Sequence, residues 1–260
     1  MAAGSVPGGG DPEGREVHGA SGEEVNIRDE MAAAASNRGM HRRSFGLTLL
    51  AAPAMVRAQS APRPARLDDG LVLEFVTKAH QRKIEPMKEL IARQPALLNA
   101  SWDWGGGDWE NALEAAAHTG SREMALFLLE QGARLNLFAA AMLGDLETVR
   151  AGARQPGFAA TRGAHGIPLL SHAIAGAEAG RPVIAFLLEK GADVNARHLN
   201  GMTPLMMAAQ TGQRDTLRLL LAKGAEPNAR AENGKTALRL SLDANHQEIA
   251  QDLREAGASF

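Results

Sequence analysis

The chain of 260 residues contains no cysteine and no tyrosine, and aromatic side chains make up only 4% of it. Without cysteine there are no disulfides, thiolate metal sites or cysteine nucleophiles. Few aromatics argue against a β-sandwich or barrel, because strands draw heavily on aromatic and β-branched residues. Abundant Ala, Leu and Gly favour small, closely packed helices instead. A basic stripe is missing as well. Net charge is -2, acids outnumber bases in residues 1–39, and residues 40–66 carry five Arg and no acid, so the remainder is mildly acidic. Nucleic-acid binding, which needs cations to displace the counterions of phosphates, is set aside on that ground. No Gly-rich phosphate loop follows a strand, since Gly105-Gly-Gly107 lacks the Lys-Ser/Thr and helix that such a loop requires. No Gly-x-Ser-x-Gly nucleophile elbow is present either. What remains is a chain 45% hydrophobic and 22% charged, with enough apolar surface to bury a sizeable core.

Residues 1–39 are rich in Gly, Ala, Ser and Glu without an apolar period, and are expected to form a disordered N-terminal extension. Residues 40–58 have the layout of a signal peptide. Arg42 and Arg43 form a positive start, about a dozen mostly apolar residues run from Phe45 to Val56, and small residues lie near Ala58. Arg42-Arg43-Ser44-Phe45 resembles the twin-arginine export signal. Cleavage after Ala58 would leave a mature chain starting at Gln59, with 59–68 as a linker. Export to the periplasm or the medium of a bacterial cell is expected, and a cytoplasmic location if the signal is not used. The apolar run is well short of the ~20 residues that cross a bilayer, so no stable membrane span should remain after cleavage. Because signal peptides sit near the true start, translation is expected to begin at Met31 or Met40.

From about residue 69 onward the chain repeats itself. Asn200-Gly-Met-Thr-Pro-Leu-Met-Met-Ala-Ala-Gln-Thr-Gly212 leads to Leu219-Leu-Leu-Ala-Lys-Gly-Ala-Glu-Pro-Asn228, and Asn233-Gly-Lys-Thr-Ala-Leu then restarts the pattern. Gly201 to Gly234, Gly224 to Gly257 and Gly191 to Gly224 are each 33 apart. Gly166 to Gly201 is 35, so two residues are inserted, most simply between Gly176 and Arg181. A further copy runs from Ala112 to Asn136, a shortened one enters its first helix directly after Asn136, and an entry copy spans Phe75 to Asn99. Each position has a physical rationale. Thr203 can cap the first helix, Pro204 fits its first turn, and Leu205, Ala208 and Ala209 face the next unit. Gly212 and Gly224 end helices, and Asn228 suits a turn.

A 33-residue period with these residues resembles the ankyrin family, whose pattern is Gly-x-Thr-Pro-Leu-His-x-Ala-Ala-x-x-Gly followed by Leu-Leu-Leu-x-x-Gly-Ala-x-x-Asn. The resemblance implies an all-α fold, an ankyrin-repeat solenoid over residues 69–260 of about six helix-turn-helix units joined by short β-hairpin loops. It is closest from residue 164 onward. The chain departs from the family where His follows Leu: Met206, Arg239, Ser171 and Glu114 stand there in the four alignable copies. The implied function is protein-protein recognition by a concave surface, with no enzyme activity and no cofactor. The partner-binding residues expected on the hairpins and exposed helix ends are Arg197, His198, Asn200, Met202, Gln210, Arg230, Glu232 and Lys235.

All three Trp lie in residues 101–110, where a repeat would have a short hairpin. Trp102, Trp104 and Trp109 with Asp103, Asp108 and Glu110 offer rings and carboxylates for a small molecule or glycan, the alternative function. Equally, the rings could plug irregular repeats. His80 and His118 fall at matching ends of first helices and could, with Asp103 or Asp108, meet a metal. They lack a helical ligand spacing and any Cys, so no metal site is expected.

Overall fold

The computed structural model describes residues 67–259. The expected N-terminal extension, the expected signal peptide and most of the expected linker lie outside the described residues. Among the described residues twelve α-helices follow one another in six pairs: α1 (Asp69–His80) with α2 (Ile84–Arg93), α3 (Ala112–His118) with α4 (Arg122–Glu130), and α5 (Leu137–Leu143) with α6 (Leu146–Gly152). Then come α7 (Leu169–Ala175) with α8 (Arg181–Glu189), α9 (Pro204–Gln210) with α10 (Arg214–Ala222), and α11 (Ala237–Asp243) with α12 (Gln247–Glu255). Among the described residues the first helices of successive pairs pack on one another in chain order, α1 on α3, α3 on α5, and so on to α11.

The short first helices form because their ends are capped and their faces are small. Thr203 and Thr236 each accept from the backbone N–H three residues on, at 3.3 Å, and Asn111 and Asn136 do the same with their amide oxygens at 3.0 and 2.8 Å. Pro204 occupies the first turn of α9, where no N–H is needed. Ala115, Ala116, Ala117, Ala139, Ala140, Ala141, Ala208 and Ala209 are completely buried, so the first helices approach with little between their backbones. The second helices supply the bulk. Met124, Leu128, Leu187, Leu217, Leu220 and Leu253 are buried, each contributing about 1.5–3 kcal/mol by leaving water.

The core divides around α5. Ala139, Met142 and Leu143 join the cluster of the first two pairs, while Ala140 and Ala141 join the cluster of the last three. Five residues, 176–180, separate α7 from α8, against three, 211–213, between α9 and α10, which places the two-residue insertion between the helices of the fourth pair.

The loops differ from the expected row of β-hairpins. Among the described residues there is one two-stranded antiparallel sheet, β1 (Ser101–Asp103) with β2 (Trp109–Asn111), and one isolated bridge, Arg162 with Pro168. Side chains join the remaining inter-repeat loops, beside a backbone bond from the Glu232 N–H to the Asn200 carbonyl at 2.9 Å. Arg162 Nη1 donates to the Gly166 carbonyl at 2.6 Å and to the Arg197 carbonyl at 2.9 Å; Arg197 Nη1 donates to the Arg230 carbonyl at 2.7 Å. On a second line, the Asn195 side chain bonds Gly224 O and Glu226 N, and that of Asn228 bonds Gly257 O and Ser259 N. Asn136, at the corresponding place, caps α5 directly because the third pair has no loop before it.

Candidate functional site

Two regions are candidates for function, one along the last three pairs and one drawn from the first, second and fourth pairs. Along the last three pairs, Asn200, Gln210, Arg230 and Glu232 are exposed. Met202 is half-buried and packs against the core, and His198 is half-buried and engaged by neighbours. Lys235 is tied to Asp243 at 2.9 Å. Arg197 is exposed but spends its guanidinium on the loop of the next pair, as above, so its first role is to join repeats. Of the eight expected contact residues, Asn200, Gln210 and Glu232 are exposed, while the exposed Arg230 turns Nη1 back to Gly234 O at 3.2 Å.

The second region gathers the histidines. His80 closes α1 and His118 closes α3, and packing of α1 on α3 brings their rings to 5.0 Å between centroids. The expected meeting of these two therefore occurs. Two further residues join them. Glu110, on β2 and fully buried, sets Oε1 2.8 Å from His118 Nε2 and Oε2 3.4 Å from His80 Nε2. His165, from the loop ahead of α7, brings Nε2 to 3.4 Å from Glu110 Oε2. One donor atom from each of His80, Glu110, His118 and His165 lies within 4.8 Å of every other.

His165 reaches this place because the third pair lacks its loop. The loop of the fourth pair then sits directly against that of the second. Asp108 accepts from the His165 backbone N–H at 2.7 Å and meets its Nδ1 at 2.8 Å. Glu114, in the position where the ankyrin pattern has His, accepts from Ala164 N at 2.6 Å. His165 itself has φ +58, a left-handed conformation uncommon outside glycine and shared by Asn200 at the equivalent turn, φ +68.

Electrostatics follow the burial. Burial pushes the Glu110 carboxyl up, but the hydrogen bond with His118, the charges of His80 and His118 and the Trp104 indole outweigh it, leaving the group below its ordinary value. Burial lowers His80, against the opposing pull of Glu110, and raises Glu114. His172, wholly buried behind His118 with its ring 4.8 Å from that of Phe138, is pushed down by burial to about 4 and is neutral.

The tryptophan loop divides its residues between the two expected roles. Trp102 packs against the N-terminal core, and Trp104 donates from Nε1 to Glu110 Oε2 at 2.7 Å while its ring stands 5.9 Å from His80 and 5.7 Å from His165. Trp109 is 59% exposed. The carboxylates proposed for sugar hydroxyls are turned inward. Asp103 accepts from Gly105 N and Gly107 N, Asp108 holds His165, and Glu110 serves His118 and Trp104. The grouping weighed from the sequence, His80 and His118 with Asp103 or Asp108, did not include Glu110 as a partner of the histidines or His165, which the structure brings to the same place. His165 stands before Gly166 where the next copies have Asn-Gly, at Asn200 and Asn233; that substitution was the available signal.

Comparison with known families bears on the C-terminal part of the chain. Residues 170–260 match the family model of ankyrin repeats, in 3 copies. No curated protein matches the chain. The ankyrin match covers α8 to α12 and nearly all of α7, the pairs in which the Thr-Pro-Leu pattern and the 33-residue period are clearest. No helix among the described residues is long and apolar enough to cross a membrane.

Proposed function

We propose that the chain is a protein-binding scaffold that works after export, presenting a concave surface along an ankyrin solenoid and carrying no catalytic activity of its own. Ankyrin repeats are generally protein-protein interaction modules, and three copies cover residues 170–260. The observation that carries the reading is the division of labour within those copies. Small, fully buried residues such as Ala208 and Ala209 hold the first helices together, while Gln210 and Glu232, at a helix end and a loop, face outward on a frame stapled by Arg197 and Asn195. Side chains displayed on such a frame bind at low entropic cost. Export rests on the signal-like residues 40–58, and the partner is accordingly a protein of the periplasm or the medium.

The test compares the full chain with Gln210→Arg/Glu232→Arg as bait for proteins of the cell envelope. Loss of a specific partner with an unchanged melting temperature is expected. Equal capture by the variant would move the interface away from this face. N-terminal sequencing of the secreted protein should read from Gln59, and a secreted chain that retains Met1 would overturn the export part.

A further inference from the structure

We propose that His80, Glu110, His118 and His165 form a binding site for a divalent first-row transition ion, with zinc as the ion whose preferred geometry they fit. The argument begins with hydrogen placement. His80 Nδ1 lies 3.1 Å from the Val76 carbonyl, which only accepts, so the His80 proton sits on Nδ1 and Nε2 carries a lone pair. His165 Nδ1 faces the Asp108 carboxylate at 2.8 Å, which fixes the same tautomer there. In the neutral rings both Nε2 atoms therefore carry lone pairs, and each lies 3.4 Å from Glu110 Oε2. His118 Nε2 alone can place a proton in the centre, toward Glu110 Oε1 at 2.8 Å or His80 Nε2 at 3.1 Å. A positive charge among these donors, carried by a proton or by a metal ion, offsets the repulsion of their lone pairs.

The dimensions agree with such a cation. Bonds of about 2.0–2.1 Å to a tetrahedral zinc place neighbouring donors about 3.3 Å apart. His80 and His118 lie 3.1 Å apart, Glu110 Oε2 lies 3.4 Å from both His80 and His165, Glu110 Oε1 lies 2.8 Å from His118, and the four donors all fall within 4.8 Å of one another. Three imidazoles and one carboxylate suit zinc and its neighbours; calcium and magnesium take oxygen donors. When the ion binds, the His118 proton moves to Nδ1 and all four groups present lone pairs. The surrounding groups are those that orient metal ligands elsewhere: a backbone carbonyl on His80, a carboxylate on His165, and an indole N–H on Glu110. The four donors come from the first, second and fourth helix pairs, so the ion would tie together units that a regular array keeps apart.

The experiment uses the full chain without any affinity-tag histidines, stripped with chelator and titrated with Zn2+ against a chromophoric competitor. One zinc per chain is expected. His165→Asn keeps a residue that tolerates the left-handed turn, as Asn200 shows, and should lower affinity by about 100-fold or more; Asp108→Asn, acting through His165, should lower it by about 10–100-fold. Far-UV circular dichroism of each variant establishes that it is folded. Co2+ in place of zinc should give the visible absorption of a tetrahedral site in the parent and lose it in His165→Asn. Absence of stoichiometric binding in the parent, or equal affinity and an equal Co2+ spectrum in folded His165→Asn, would overturn the proposal.

Discussion

Gly144 offers a clean measurement of how tightly the repeats are pressed together. It caps α5 with φ +82, and a Cβ built on it would lie 2.1 Å from the carbonyl oxygen of Ala179 in the following unit. Gly191, just past α8, has the same φ of +82 and open space around its missing Cβ. Alanine at either position is strained by about 1–2 kcal/mol in the left-handed conformation. At Gly144 the overlap adds a further ~1–3 kcal/mol, because backbone of the next unit must move. Gly144→Ala should therefore cost about 2–5 kcal/mol and Gly191→Ala about 1–2 kcal/mol. At roughly 2–4 °C per kcal/mol for a folded region of this size, melting should fall by on the order of 10 °C in the first variant and by a few degrees in the second. Thermal melts followed by circular dichroism, with urea titration as a check, measure both. Equal destabilisation by the two substitutions would refute the claim that the third and fourth pairs touch through this glycine.

Three further outcomes follow from the described contacts. Thr203→Ala removes a buried helix cap and should lower stability by about 1 kcal/mol in urea unfolding, with Thr203→Ser largely restoring it. Arg197→Met should cost about 0.5–1.5 kcal/mol through the lost bond to the Arg230 carbonyl, so any binding defect it shows must be read beside its melting temperature. Hydrogen bonds from Arg214 and Arg218 hold the Asp252 carboxyl well below its ordinary value of 3.8. The unfolded chain takes up that proton first, so the contribution of Asp252 is complete well above 3.8, begins to be lost as pH falls past that value, and is gone only below the depressed folded-state value. Asp252→Asn should flatten the fall in stability below about pH 4 in acid titrations monitored by urea unfolding, by about one carboxylate's share.

Much of the helical framework is legible because it is written locally. Thr203 and Pro204 announce a helix start, Gly212 and Gly224 take the positive φ that ends helices, at +78 and +88, and the 35-residue spacing to Gly201 locates the longer turn. Pairings that depend on what is absent are harder to read. Nothing near His165 shows that omission of the third loop will lay it against Asp108, 57 residues earlier, and Glu110 looks like a surface acid until β2 turns it inward. The arginine staple had a readable sign that display on loops obscured: Arg162, Arg197 and Arg230 each stand four residues before a glycine, Gly166, Gly201 and Gly234. Each donates to the carbonyl of that glycine, and Arg162 and Arg197 also reach the carbonyl of the next arginine.

The missing loop also bears on how the chain comes apart. In an array coupled only between neighbours, units fray from either end independently. Here Asp108 grips His165 and Glu114 grips Ala164, each skipping a unit. Opening α5 and α6 leaves those bridges to strain, so the third pair cannot melt without loosening the second and fourth. Amide exchange should accordingly divide the chain in two: a C-terminal run that peels one unit at a time, and a block from α3 to α7 whose amides exchange together, as a zip fastener with a clasp sewn across its middle.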